Sequence, residues 1–101
     1  MSPQSDLFTH TTWRVKPGRE EDFIDRWHEW IDWSHRQGLR ERAILLRDLE
    51  THNTFISYGP WENAAAVSSW RSLPGYQERV ELLRETVETF EPRTLEVVER
   101  R

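Results

Sequence analysis

The sequence predicts an α+β domain built on one four-stranded antiparallel sheet with helices on a single face. Three observations predict it. Segments of two-residue alternation and segments of helical periodicity follow one another in the order strand, helix, strand, strand, helix, strand. Proline or glycine falls at the major changeovers, at Pro17-Gly18, Gly38, Gly59-Pro60 and Pro92. The length, 101 residues, suits one core and is too short for two.

The first strand is predicted over Leu7 to Val15, where Leu7, Thr9, Thr11, Trp13 and Val15 alternate with Phe8, His10, Thr12 and Arg14. Lys16-Pro17-Gly18 ends it, because proline donates no ladder hydrogen bond. A helix follows from Glu20 to about Arg36, with Phe23, Trp27, Trp30, Ile31 and Ser34 on one stripe and Ile24 at its margin. Glu20, Glu21 and Asp22 near its start, with His35 and Arg36 near its end, suit the helix dipole, and Gly38 terminates it. Glu41 to Leu49 alternates again. Glu50-Thr51-His52-Asn53 then reverses the chain, and Thr54 to Tyr58 returns antiparallel.

Beyond the turn signal Gly59-Pro60 and Trp61, a second helical region carries Ala64, Val67 and Trp70, capped by Asn63 or its neighbours. Leu73-Pro74-Gly75 interrupts it. It resumes with Tyr76, Val80, Leu83 and Val87 on one side, with Arg84 and Glu88 spaced as a pair, until Glu91-Pro92 stops it. Thr94 to Val98 reads as the last strand. Right-handed crossovers then give a ferredoxin-like βαββαβ arrangement. Residues 1–6 are expected to be a flexible N-terminus and 7–101 the domain. The face left bare by the helices, with Phe8 beside His10, is too apolar for water, so a homodimer is expected.

Composition excludes several functions. There is no cysteine, hence no disulfide, cysteine-ligated metal or cysteine nucleophile. The net charge is −4 with both signs interspersed, which argues against nucleic-acid binding; Arg36, Arg40, Arg42 and Arg47 read as solvated surface. No apolar run is long enough to span a membrane and no secretory signal is seen at the start, so the cytoplasm is the expected location. The four histidines show no zinc-hydrolase spacing, although His28, His35 and Asp32 fall toward one flank.

Six tryptophans in so short a chain place core and ligand site in competition. Phe23, Trp27, Trp30, Trp61 and Trp70 could enclose a flat aromatic molecule between helices and sheet, or could simply be core. Thr9, Thr11, Ser57 and Tyr58 are candidates for orienting it, and Tyr76 for covering the mouth. Strict alternation sets Tyr58 opposite Ser57, so all four should not reach one cavity without a bulge.

Trp13-Arg14-Val15-Lys16-Pro17-Gly18-Arg19-Glu20-Glu21-Asp22-Phe23, then Trp27, Trp61-Glu62-Asn63 and Trp70, resemble the antibiotic biosynthesis monooxygenase family of dimeric α/β barrels. The resemblance covers roughly residues 7 to 99. It implies a homodimer with a pocket in each protomer and, as in the anthrone-oxidising members, direct reaction of an electron-rich phenolate with dioxygen without metal, haem or flavin. Trp27, Trp61 and Trp70 would shape the substrate site, Asn63 would offer a hydrogen bond nearby, and the base is unassigned. Haem-degrading relatives use an asparagine on the first strand, a tryptophan in the second helical region and a histidine ten residues further. Here Thr11, Trp70 and Val80 stand at those places, and valine cannot ligate iron. The preferred expectation is a cofactor-independent monooxygenase acting on an anthrone, quinol or polyketide-like aromatic. The competing one is a noncatalytic dimeric binding or interaction domain.

Overall fold

The computed structural model describes residues 6–101, so residues 1–5 of the expected flexible N-terminus lie outside the described residues. The elements are β1 (Leu7–Val15), α1 (Glu20–Arg36), β2 (Ile44–Arg47), β3 (Thr54–Trp61), α2 (Ala64–Ser72), α3 (Pro74–Arg84) and β4 (Val87–Glu96). The strands form one antiparallel sheet in the order β2-β3-β1-β4, the ferredoxin-like topology predicted from the alternation. Asp6 is tied down: its carbonyl accepts from the Val97 amide at 2.8 Å. Among the described residues, no helix is long and apolar enough to cross a membrane.

Alternation decides which face is core. Thr11, Trp13 and Val15 of β1 are buried, and cross-strand pairing sets Ser57 beside Thr11 and Phe55 beside Trp13 on the same face. Phe23, Trp30 and Ser34 of α1, Val67 and Trp70 of α2, and Val80 and Leu83 of α3 complete the core. Trp33, outside the predicted stripe, is also buried, with the Arg79 guanidinium 4.6 Å from its ring centroid. A cation drawn to the indole face from α3 covers a position that periodicity within α1 assigns to solvent.

The hairpin is redistributed relative to expectation. β2 spans four residues rather than Glu41 to Leu49. Glu41 has φ +39°, off the extended region, and the Asp48 carboxylate turns back to accept from the Glu50 and Thr51 amides. Those amides hold its pKa below the ordinary aspartate value. β3 runs past Tyr58 to Trp61, straight through Gly59-Pro60. Pro60 pairs with Phe8, yet its carbonyl faces the other way and accepts from the Arg40 amide at 3.0 Å. The missing proline N–H lies on that same side, so no bond to β1 is lost.

The largest correction is at the C-terminal end. α3 stops at Arg84 instead of continuing to Glu91, and β4 begins at Val87 rather than Thr94. Val87 is buried as expected, but by pairing with Val15 in the sheet. The Thr86 hydroxyl donates to the Leu83 carbonyl at 2.7 Å, and the Thr86 carbonyl receives the Lys16 amide, which fixes the exit from the helix. Arg84 therefore meets Glu81 and the Phe90 ring, not Glu88. Pro92 sits inside β4, opposite Thr11, as an edge strand allows.

Candidate active site between sheet and helices

The tryptophans form a layer rather than separate contacts. Trp61 and Trp70 lie 4.7 Å apart between ring centroids, Trp70 and Trp30 5.5 Å, and Trp30 and Trp13 5.8 Å. Each indole is placed by its element. Trp13 comes from the inward face of β1, Trp30 from the α1 stripe, Trp61 from the end of β3, and Trp70 from the inner side of α2. Asn63 starts α2: its backbone is extended and its Oδ1 accepts from the Ala66 amide at 2.9 Å. Leu73, extended at φ −73° and ψ 139°, then separates α2 from α3.

A small hydroxyl partners three of the indoles. Trp13 Nε1 donates to Ser57 Oγ at 2.9 Å, Trp61 Nε1 to Thr9 Oγ1 at 2.9 Å, and Trp70 Nε1 to Ser34 Oγ at 3.0 Å. The Ser34 hydroxyl in turn donates to the Trp30 carbonyl at 2.7 Å. Trp27 and Trp30 differ: both Nε1 atoms are buried with no hydrogen-bond partner. A buried donor left without an acceptor costs about 1–3 kcal/mol, so two of them on one side of a core require an explanation.

Both unpartnered indoles line the same cavity. Its walls are Thr9, Thr11, Trp27, Trp30, Ile31, Leu39, Ala43, Ser57, Tyr58, Gly59, Trp61 and Trp70. The void measures about 10 Å³, room for about one water molecule. The aromatic side chains thus nearly fill the space predicted to hold a ligand. Gly59 lets the wall close in: a Cβ there would stand 2.8 Å from Leu39 Cδ1 and 3.3 Å from the Ala43 Cβ.

Of the residues singled out from the sequence, Thr9, Thr11, Ser57, Tyr58, Trp27, Trp61 and Trp70 come together at this cavity. Tyr58 joins without a bulge: its ring tilts against Phe8 on the opposite face, 6.1 Å between centroids, so its main chain borders the void. Among the described residues lining the cavity, no ionisable side chain is then directed inward. Tyr76 stands behind Trp70, edge-on at 4.7 Å, and does not line the cavity. Burial raises its pKa, with Arg71 opposing. Asn63 does not line the cavity either, its side-chain oxygen being engaged as the helix cap. Leu39, Ala43 and Gly59 are wall residues that no sequence pattern indicated. Leu39 follows the chain reversal at Gly38, whose φ of +118° is a left-handed conformation open to glycine.

Among the described residues no three His, Cys, Asp or Glu side chains come together to hold an ion. His28 pairs with Asp32 at 3.4 Å, while His35 Nδ1 meets the Leu39 carbonyl at 3.1 Å. Val80 is buried in the core and offers iron no ligand.

The family described as antibiotic biosynthesis monooxygenase matches residues 7–82. No curated protein matches the sequence. Among solved structures, a variant of SnoaB, a cofactor-independent oxygenase from Streptomyces nogalater, superposes with a TM-score of 0.84 at 19% identity, covering 95% of this chain and 96% of that one. A protein from Bordetella bronchiseptica described as a putative antibiotic biosynthesis monooxygenase gives 0.82 at 20% identity over 95% and 100%. A conserved protein from Methanosarcina mazei Go1 gives 0.81 at 14% identity over 93% and 94%.

Proposed function

Because the chain belongs to the antibiotic biosynthesis monooxygenase family, we propose that it is a cofactor-independent monooxygenase that oxidises an anthrone, quinol or polyketide-like aromatic with dioxygen, in the cavity between sheet and helices. The observation that carries this reading is the pair of unpartnered indole N–H groups at Trp27 and Trp30. These donors have no acceptor within the protein and suit an oxygen that becomes negative, whether a phenolate or a peroxide, which they would stabilise away from bulk water. The surrounding indoles supply flat apolar walls for a ring system, and Thr11 and Ser57 supply hydroxyls.

The chemistry is within reach of these residues. An anthrone loses a proton to give an electron-rich phenolate, which passes one electron to dioxygen. The resulting radical pair combines at carbon as a peroxide, and loss of water leaves a quinone carbonyl. One oxygen atom enters the product and the other leaves as water. Among the described residues lining the cavity no acid or base side chain is directed inward, so in this reading proton loss follows the substrate's own acidity and turnover should rise with pH across the ionisation of the anthrone or phenol. The protein's part is to orient and desolvate.

The working form in this reading is a homodimer. The bare sheet face carries Phe8 and His10 of β1, Ile56 and Tyr58 of β3, Leu46 of β2 and Leu95 of β4, with Leu46 46% and Leu95 42% exposed. A second copy laid on this face would shield it. The near-closed cavity also supports a second reading, a noncatalytic dimeric binding or interaction domain whose tryptophans are core. Oxygen uptake separates the two. The oxygenase consumes dioxygen with anthrones or hydroquinones faster than buffer does, while the binding domain takes up the aromatic unchanged.

A further inference from the structure

We propose that the open groove between α1 and the edge strand β2 is the substrate's entrance and outer subsite, and that Trp27 is the door between this groove and the closed cavity. This inference rests on the oxygenase reading above. The two hollows share one wall, since Trp27, Ile31 and Ala43 line both. Inside that wall the void is about 10 Å³, and outside it lies an open hollow of about 520 Å³. A substrate large enough to need the indole walls can reach them only if the partition moves.

Of the three shared residues, Trp27 is the one with side-chain torsions to turn and no hydrogen bond to hold it. Ala43 has no side-chain torsion to change, and Ile31 is β-branched and stiff within a helix. Trp27 is only partly buried, and its Nε1 has no partner to be broken. Trp61 and Trp70, deeper in the same cavity, are each tethered through Nε1 to a hydroxyl. β2 is the outermost strand on this side, so no further strand closes the groove.

The groove also states a preference for its occupant. Ile24, Ile31 and Leu45 give it apolar flanks, and the exposed His28–Asp32 pair, Nε2 to Oδ2 3.4 Å along one turn of α1, sets polar groups at its border. The class that fits is a planar polycycle with a hydroxyl on the ring remote from the oxidised carbon. Its reacting ring passes Trp27 toward Trp30, and its hydroxylated ring stays against His28 and Asp32.

The test uses the full chain with alizarin, a hydroxylated anthraquinone whose visible absorbance reports binding without turnover, and anthrone for oxygen uptake. Trp27→Ala should raise the alizarin association rate about tenfold, because the door is removed. Leu45→Trp, at a groove residue that does not itself line the cavity, should weaken alizarin binding and lower kcat/KM for anthrone, each about tenfold, in protein whose circular dichroism matches wild type. Ile24→Trp repeats the obstruction from α1 should Leu45→Trp fail to fold. Unchanged alizarin binding in both obstructed variants, or wild-type protein that binds no alizarin, would overturn the inference. If wild type oxidises anthrone while the obstructed variants match it, the oxygenase reading stands and the groove loses its role. If wild type oxidises nothing yet the obstructed variants lose alizarin, the groove stands and the oxygenase reading falls.

Discussion

Trp61 and Trp30 face the same cavity with opposite hydrogen-bond states, and this difference can be measured. Trp61 is fully buried and satisfied by Thr9. Replacing Thr9 with valine keeps the volume but strands the indole donor, so stability should fall by about 1–3 kcal/mol in denaturant unfolding. Trp30→Phe removes a donor that has no partner and should cost less stability than Trp61→Phe, while lowering turnover about tenfold or more if that N–H steadies a developing oxyanion. Tyr76 yields a pH signature. Its burial raises the folded pKa, so its contribution is intact below the unfolded phenol value of about 10 and is lost as pH climbs through the folded value. Melting temperature should therefore drop less between neutral and strongly alkaline pH in Tyr76→Phe than in wild type. The aromatic members of the site were legible because indoles at helical or strand spacing are strong signals. That Asn63 spends its oxygen on Ala66, and that Arg79 lids Trp33, depends on partners no local pattern contains.

Among the elements, the break between α2 and α3 carries the clearest packing constraint. Pro74 at the start of α3 ends α2, as read from the sequence, but Gly75 has a second role. A Cβ there would stand 2.7 Å from Trp33 Cζ2, a ring atom in the core with little room to retreat. Gly75→Ala, ordinarily favourable in a helix, should here cost about 1–3 kcal/mol by overpacking, seen as a lowered unfolding midpoint. β1 and α1 were legible to their ends because long amphipathic periods leave little choice. The α3 to β4 junction was not, since Val80, Leu83 and Val87 fit one helical face while Val87 gains more by pairing with Val15. A tertiary partner overrode a local period. Gly59-Pro60 misled for a related reason: both residues suit a turn in isolation, but on this strand the proline's missing donor points away from β1.

At the scale of the whole molecule, one face of the sheet is closed by helices and the other carries apolar side chains in the open. The predicted partner is a second copy. Leu46→Glu or Leu95→Glu places a charge in that face and should convert a dimer to a monomer in sedimentation equilibrium, with the helical core intact by circular dichroism. Wild type sedimenting as a monomer at micromolar concentrations would remove the dimer from the account. The sheet topology was legible from element order alone, whereas the volume of the cavity was not, because closure by about one water's width depends on how Trp30, Trp61 and Trp70 seat against each other. The central claim is direct oxygen transfer at that aromatic cavity. It is tested by supplying anthrone and isotopically labelled dioxygen to chelator-treated protein and weighing the product. The account predicts anthraquinone with one labelled oxygen atom, formed faster than in buffer and at the same rate before and after chelation; unlabelled product, or a rate no greater than buffer alone, would contradict it.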